Sequence, residues 1–245
     1  MWFGKGVIGA AAVSTALLFG QGAQAAYYFN DFETLSTPNF SAFGSVQGTQ
    51  GYSNISGFTG FGSEFLRNDT SGAPGAATVL TLTGLPTHTG IKLGFLLAII
   101  DSWDASGCCS PDSLNVQVNG VTVFNETFDN FNNGAGQSFA GTPIGGSRTQ
   151  LGFNGGFNDA AYDLTALASL QNIAHTSSVL AIEWRTNFTT TNSFQGGLDE
   201  SFAIDKVSVD LLGVATAAAP EPASLALIGA SLLGFGAIRR RFSRR

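Results

Sequence analysis

Residues 114–128 read LNVQVNGVTVFNETF and carry the strongest fold signal of the chain. Apolar and polar residues alternate on both sides of Asn119-Gly120, which is the pattern of two half-buried strands. Asparagine and glycine both tolerate the positive φ that a two-residue type I′ turn requires. The segment therefore predicts an antiparallel β-hairpin with its turn at Asn119-Gly120.

Strand-like runs rich in β-branched and aromatic residues also occur at 78–83, 91–100, 179–185 and 201–212, and the run 91–100 is apolar on both faces. The one helical candidate covers residues 164–173. Many short strands with a single short helix predict an all-β domain, a jelly-roll-like β-sandwich.

The last predicted strand changes its buried face halfway along. Phe202 and Ile204 are apolar on even positions, whereas Val207, Val209 and Leu211 are apolar on odd ones. Because side chains alternate with a period of two, this change requires a β-bulge or twist near Asp205.

Two long stretches rich in glycine, asparagine and serine, 41–63 and 130–158, contain scattered phenylalanines such as Phe58, Phe131 and Phe153. We expect them to form loops over the faces of the sandwich, pinned by phenylalanine. An alternative interpretation is that some of these rings are exposed platforms for sugars.

The composition excludes several classes of protein. The 245 residues are 44% hydrophobic and 11% charged, the reverse of a disordered chain. Between residues 26 and 219, five basic residues stand against 16 acidic ones. Such a surface repels the phosphate backbone of nucleic acids, so we expect no nucleic-acid binding. Cations or neutral sugars are better suited as ligands.

The N-terminus has the features of a secretory signal peptide. Lys5 precedes an apolar run, residues 7–19, and small residues follow at Ala23 and Ala25. The run is shorter than the roughly 17–25 residues of a membrane-spanning helix, so cleavage after about Ala25 is favoured over an uncleaved anchor.

The C-terminus combines three elements in a fixed order. Pro220-Glu221-Pro222 precedes sixteen uncharged residues, 223–238, and an arginine-rich tail begins with Arg239, Arg240 and Arg241. The arginines would hold this end in the cytoplasm, leaving the body outside the inner membrane. The sequence thus predicts a signal peptide at 1–25, a β-sandwich domain at 26–215 and a sorting segment with a short transmembrane helix at 216–245.

This triple element resembles the PEP-CTERM sorting signal of bacterial exported proteins, also known as the ice-binding protein C-terminal motif. The resemblance implies an exosortase-type protease as partner, and export to the cell envelope, cell surface or extracellular matrix after transient anchoring in the inner membrane. A plain C-terminal anchor is the alternative. Because the tail only sorts, it implies no ice binding by the body.

The body carries short acidic motifs at 28–33, 101–104, 111–113 and 197–207. Together they resemble exported PEP-CTERM proteins and the calcium-binding jelly-roll modules of extracellular β-sandwiches. That resemblance implies a structural Ca²⁺ joining the first strand to the last, with Asp31, Glu33 and Asp205 as ligands. Lys206, where an asparagine is more usual, argues against a ligand at this position, and solvated turn acids remain the alternative.

The segment 101–112 concentrates three acids, a tryptophan and both cysteines directly after an apolar strand. As a loop at one end of a sandwich it is the best candidate for a ligand site, with Trp103 as a stacking platform beside Asp101, Asp104 and Asp112. The alternative is a tryptophan that fills the core and acids that cap turns.

The adjacent Cys108 and Cys109 predict a strained internal disulfide in an oxidising compartment, with free thiols or a bridge between two chains as alternatives. Closing so small a ring would add little entropic stability.

Catalytic signatures are weak. His88 and His175 are the only imidazoles, and we expect each to be a surface or capping residue. No nucleophile elbow, zinc-protease motif or phosphate-binding glycine loop occurs. A glycosidase needs only two carboxylates, and Asp101, Asp104, Asp199 and Glu200 keep that alternative open.

The sequence therefore predicts an exported, non-enzymatic surface or matrix protein that binds carbohydrate, an exopolysaccharide or other glycan, and contains a structural calcium. Two alternatives stay open: a hydrolase acting on exopolysaccharide through a carboxylate pair, and a matrix component without a ligand.

Overall fold

The computed structural model describes residues 26–41, 43–105, 111–146, 148–187 and 192–214. Within these residues the chain forms two short 3-10 helices, Gln50–Asn54 and Ala168–Leu170, and eleven strands. The strands are β1 Tyr28–Asn30, β2 Ser45–Gly48, β3 Glu64–Asn68, β4 Thr78–Thr83, β5 Gly90–Asp101, β6 Ser113–Val118, β7 Val121–Thr127, β8 Ala160–Asp163, β9 Ile173–Ala174, β10 Val179–Thr186 and β11 Glu200–Leu212.

The strands form two antiparallel sheets. The first has the order β2-β3-β11-β5-β8, with β1 added beside β11 and β9 beside β5, and the second has the order β4-β10-β6-β7. Apolar side chains of both sheets meet in one core that includes Leu97, Phe202, Val116 and Trp184. The predicted all-β, jelly-roll-like sandwich is confirmed.

Strand β5 is apolar on both faces because both faces are covered. Its odd-numbered residues, such as Leu97, face the core between the sheets. Its even-numbered residues, such as Leu96, pack against Tyr52, Phe61 and Phe65 in a second cluster. Partly buried Phe58 and Phe153 complete that cluster, so these phenylalanines pin their loops over the outer face of the sheet, as predicted.

Two further predictions from short stretches of sequence, the hairpin turn and the β-bulge, are confirmed. β6 and β7 pair as an antiparallel hairpin, and Asn119 and Gly120 have φ values of 47° and 80°, as a type I′ turn requires. In β11, Asp205 pairs with Leu96 but Ser208 pairs with Gly94, so one extra residue is inserted at this point. Lys206 adopts φ 47° there, which confirms the predicted bulge.

The helix predicted over residues 164–173 is wrong for most of its length. Only Ala168–Leu170 forms a 3-10 turn, and Ile173 begins β9, which pairs with the first residues of β5. Tertiary pairing at the sheet edge overrides the weak helical propensity here.

No helix among the described residues is long and apolar enough to span a membrane. The predicted signal peptide, both cysteines and the whole of the predicted sorting segment lie outside the described residues, so the domain boundaries and the disulfide stay predictions.

Candidate functional site

One end of the sandwich gathers acidic residues from distant parts of the chain. β5 ends and β11 begins there, since Asp101 pairs with Glu200. We call this the acidic end and define it as segments 101–105, 111–113, 128–133 and 194–200. Main-chain hydrogen bonds join its parts: Ser102 N–H donates to Asp199 O (3.0 Å) and Asn130 N–H donates to Trp103 O (2.8 Å).

Three carboxylates converge in the interior of the acidic end. Asp104, Asp112 and Glu200 each place an oxygen within 4.8 Å of the other two, and all three residues are buried. Main-chain donors fix their orientation: Asp104 N–H bonds Asp112 Oδ2 (2.8 Å), and Gln195 N–H bonds Glu200 Oε2 (3.0 Å). This acidic triad is a group of oxygen ligands that could hold a metal ion.

The electrostatics of the triad show how poorly its charges are compensated. Burial and then the charge of Asp112 raise the pKa of Asp104 to about 7, and the same two causes raise the pKa of Glu200 to about 9. Burial also raises the pKa of Asp112. Since no lysine or arginine within the described ranges forms a salt bridge with these acids, protons or a cation must supply the balancing charge.

Trp103 is not a stacking platform, because its side chain is fully buried. Its ring contacts Phe128 and Phe194 edge to face, with centroid separations of 5.9 and 5.0 Å. The indole Nε1–H donates to Ser201 O at 2.8 Å. The alternative interpretation, a tryptophan that fills the core, is the one that the structure supports.

Asp101 faces away from the triad, towards the loop that covers β5. Its Oδ1 accepts from Asn154 N–H (3.1 Å), and its own N–H donates to Asp159 Oδ1 (2.9 Å). Burial raises the pKa of Asp101 to about 6 and that of Asp159 to about 7. Of the four residues proposed for ligand binding, the structure thus brings only Asp104 and Asp112 into the triad.

The residues predicted to bind calcium are only partly together. Glu33 Oε1 accepts from Glu64 N–H (3.1 Å), and Asp205 Oδ2 accepts from Gly62 N–H (3.4 Å), so both carboxylates contact the same segment. Asp31 instead uses Oδ1 to accept from Glu33 N–H, at 3.4 Å. Main-chain N–H groups therefore already bond at least one oxygen of each of these three carboxylates. Calcium binding by Asp31, Glu33 and Asp205 stays a prediction.

Of the two positions expected for each histidine, surface or capping, the surface position is wrong. His88 and His175 are buried, and His88 Nε2 lies 2.7 Å from His175 Nδ1. His88 Nδ1 lies 2.6 Å from Pro86 O, and Asn119 Nδ2 lies 3.1 Å from His175 Nε2. If both rings are neutral and carry their proton on Nδ1, His88 donates to Pro86 O, His175 donates to His88 Nε2, and His175 Nε2 accepts from Asn119. The pair therefore has a structural role, which the sequence around each histidine does not reveal.

Sequence reasoning missed one residue beside the triad and misjudged another. Asp129 follows β7 in a stretch without any metal-binding spacing, and its charge contributes to the raised pKa of Asp104. For Glu200 the sequence indicates only the catalytic alternative. Pairing the apolar strand 91–100 with the last strand would have placed Glu200 beside Asp101, but strand partners are not encoded locally.

Comparison with protein families identifies residues 218–241 as a PEP-CTERM protein-sorting motif. The chain therefore carries the sorting signal predicted from Pro220 to Arg241, and this motif indicates an exported, envelope-associated protein. Comparison with curated protein sequences returned no match.

Comparison with solved structures finds carbohydrate-binding modules and one catalytic domain at low similarity. The CBM22-1 xylan-binding domain of Paenibacillus barcinonensis Xyn10C has 14% identity and a TM-score of 0.36, over 77% of this chain and 95% of that domain. TmCBM61 in complex with β-1,4-galactotriose has 12% identity and a TM-score of 0.35, over 74% and 94%. The Agl-KA catalytic domain has 14% identity and a TM-score of 0.34, over 82% of this chain and 30% of that one. At these values the ligands and activities of those proteins are not carried over to this chain.

Proposed function

We propose that this chain is an exported, non-catalytic protein of the cell envelope or extracellular matrix that binds glycans at its acidic end and contains structural calcium. The observation that carries the proposal is an exposed aromatic ring, Phe131, in the same end of the domain as the buried acidic triad.

The direction of β11 separates the two ends of the domain. This strand runs 13 residues from Glu200 in the acidic end to Leu212, a length of about 40 Å at a rise of about 3.3 Å per residue. β1 pairs with Val207 to Val209, so the N-terminal side of the domain also lies near the far end of β11. Leu212 is the end of β11 that precedes the sorting motif at 218–241 in the chain, so the acidic end lies at the other end of this strand, and we propose that an extracellular ligand binds there.

The surface of the acidic end has the chemistry of a sugar site. Phe131 is 64% exposed and Leu198 is 81% exposed. Phe131 N–H is fixed by Trp103 O at 3.2 Å, and Asn132 and Asn133 beside it are exposed. An aromatic face packs on the apolar face of a sugar ring, and neighbouring amides both donate to and accept from its hydroxyls. This supports the interpretation of some loop phenylalanines as platforms.

Replacing Phe131 by alanine should weaken glycan binding about two- to tenfold, since an aromatic contact contributes about 0.5–1.5 kcal/mol beyond its buried area. The measurement is a glycan array with the full chain, followed by titration calorimetry on any glycan that binds. Phe29→Ala is the matched control, because Phe29 is 55% exposed but lies on β1, away from the acidic end.

The three functional alternatives give different results in this experiment. Binding that Phe131→Ala reduces and Phe29→Ala leaves intact supports the proposal. Release of reducing ends from a bound glycan would instead identify a carboxylate-pair hydrolase. No binding to any neutral or acidic glycan would favour a matrix component without a ligand and would contradict the proposal.

The sorting signals predict the mass of the mature protein. We expect the chain recovered from the surface of an exosortase-containing cell to begin near Ala26 and to lack the arginine-rich tail, because the A-x-A site and the PEP-CTERM order are both present. Intact-mass spectrometry measures both ends at once. Recovery of the complete tail from such a cell would contradict exosortase processing, whereas a strain without exosortase should retain it.

A further inference from the structure

Three carboxylate oxygens at the acidic end are buried without a hydrogen-bond donor. They are Asp101 Oδ2, on the side of the loop that covers β5, and Asp104 Oδ1 and Asp129 Oδ2. Asp129 is 0% exposed and Asp104 is 9% exposed, so water compensates neither of their two oxygens well. A buried charged oxygen without a partner costs several kcal/mol, so its retention in a folded domain indicates a group that balances it.

One oxygen of Asp129 is fixed by a main-chain donor. Its Oδ1 accepts from Asn132 N–H at 2.6 Å, and its Oδ2 has no donor. The next residue, Asn130, bonds Trp103 O, so the 128–133 segment is fixed against the residue that precedes Asp104. The charge of Asp129 contributes to the raised pKa of Asp104, although Asp129 lies outside the group of three residues whose oxygens are within 4.8 Å of one another.

We propose that Asp104, Asp112 and Glu200 bind one calcium ion that joins the loops of the acidic end, and that the buried carboxylate of Asp129 supplies further negative charge near them. The three ligands come from the segments after β5, before β6 and at the start of β11, and Asp129 follows β7, so one ion would act on four points of the chain. This inference does not depend on glycan binding. It also differs from the site at Asp31, Glu33 and Asp205 that the sequence predicts.

The donor set favours calcium over other divalent cations. Ca²⁺ takes about six to eight oxygen ligands in flexible geometry, and carboxylates bind it through one or both oxygens. Mg²⁺ requires near-octahedral geometry and retains several waters, which a buried group of carboxylates does not readily accommodate. Zn²⁺ prefers nitrogen and sulfur, and both histidines are engaged with each other rather than with this site.

Terbium luminescence tests the site directly. Tb³⁺ occupies oxygen-only calcium sites, and its emission rises when a nearby tryptophan transfers energy to it. Trp103 adjoins Asp104, so excitation of the full chain near 280 nm in the presence of about 1:1 Tb³⁺ should give sensitised emission, and excess Ca²⁺ should abolish it. Trp103→Phe should remove most of this emission, whereas Trp184→Phe, on β10, should retain it.

Isosteric variants identify the carboxylates that act on the ion. Asp112→Asn and Asp129→Asn should each weaken Ca²⁺ binding at least about tenfold, because the negative charge of the site sets the affinity of calcium sites. Asp210→Asn is the matched control, since Asp210 lies on the same strand as Glu200 but at its other end. Circular dichroism establishes that each variant is folded.

The outcomes separate the two candidate metal sites. Loss of binding in Asp112→Asn and Asp129→Asn, with Asp205→Asn and Asp210→Asn unaffected, supports the proposal. Binding that only Asp205→Asn removes would place the ion at the bulge of β11 and overturn it. Absence of Tb³⁺ or Ca²⁺ binding in the folded full chain would overturn it as well, and neither result bears on the glycan array.

Discussion

Replacing Trp103 by alanine is expected to destabilise the domain by about 4 kcal/mol, within the range of about 3–5 kcal/mol for removing a large buried aromatic side chain. The indole is fully buried between Phe128 and Phe194. Its loss would also leave the buried Ser201 O without the Nε1–H donor at 2.8 Å. For a domain of this size the melting temperature should fall by about 8–16 °C, which thermal unfolding by circular dichroism measures.

The control for this prediction is Phe131→Ala, which truncates an exposed ring in the same part of the molecule. Its effect on stability should stay within about 0.5 kcal/mol, as for most surface substitutions. The two variants therefore separate a core residue from a platform: one loses stability and the other loses glycan affinity. A Trp103→Ala protein that melts like the wild type but no longer binds glycan would instead support the stacking role that the sequence suggested.

The fold was predictable where the signals are local. The turn at Asn119-Gly120 follows from two adjacent residues, and the bulge at Asp205 follows from a change of apolar parity within one strand. The short strands β1, β2, β3, β8 and β9 give no comparable signal, since two to five residues hold too little periodicity. Their existence depends on edges supplied by other strands, which is tertiary information.

The candidate site was predictable only in part for the same reason. Asp104 and Asp112 stood out because they share a short segment with Trp103, but the contacts of their side chains depend on β11 and on the segment after β7. Whether Trp103 would point to solvent or to the core also depended on Phe194, which lies about 90 residues further along the chain. Composition indicated affinity for cations, and only the folded arrangement indicates which carboxylates lack a partner.

Without bound cations, the domain should lose stability as the pH rises from 5 to 8. The pKa values of six buried carboxyl groups are raised in the folded state, mainly by burial: about 6 for Asp101, about 7 for Asp104, Asp159 and Asp205, about 9 for Glu200, and a raised value for Asp112. Between the unfolded value near 4 and these folded values, the folded chain binds more protons than the unfolded chain. Raising the pH therefore favours unfolding, by up to about 1.4 kcal/mol per pH unit for each group that titrates.

Two groups act in the opposite direction and do not reverse this trend. Burial and the neighbouring His88 lower the pKa of His175, so its contribution is lost as the pH falls below about 6.5. A hydrogen bond from Ser63 lowers the pKa of the exposed Glu33, whose contribution is lost only at more acidic pH. The six carboxyl groups with raised pKa values outnumber these two groups, so their effect on stability dominates between pH 5 and 8.

Urea unfolding of the full chain at pH 5, 6, 7 and 8, in chelator and in excess Ca²⁺, measures this dependence. The chelated protein should be most stable near pH 5, and calcium should restore stability chiefly at pH 7 and 8, because metal binding requires deprotonated carboxylates. Glu200→Gln supplies the sharpest control: glutamine cannot ionise, so in chelator at pH 8 this variant should be more stable than the wild type, while gaining less from calcium. A chelated wild-type protein whose stability rises from pH 5 to 8 would contradict the uncompensated burial of these carboxylates, since a cluster balanced by its own protein partners has no reason to favour protonation.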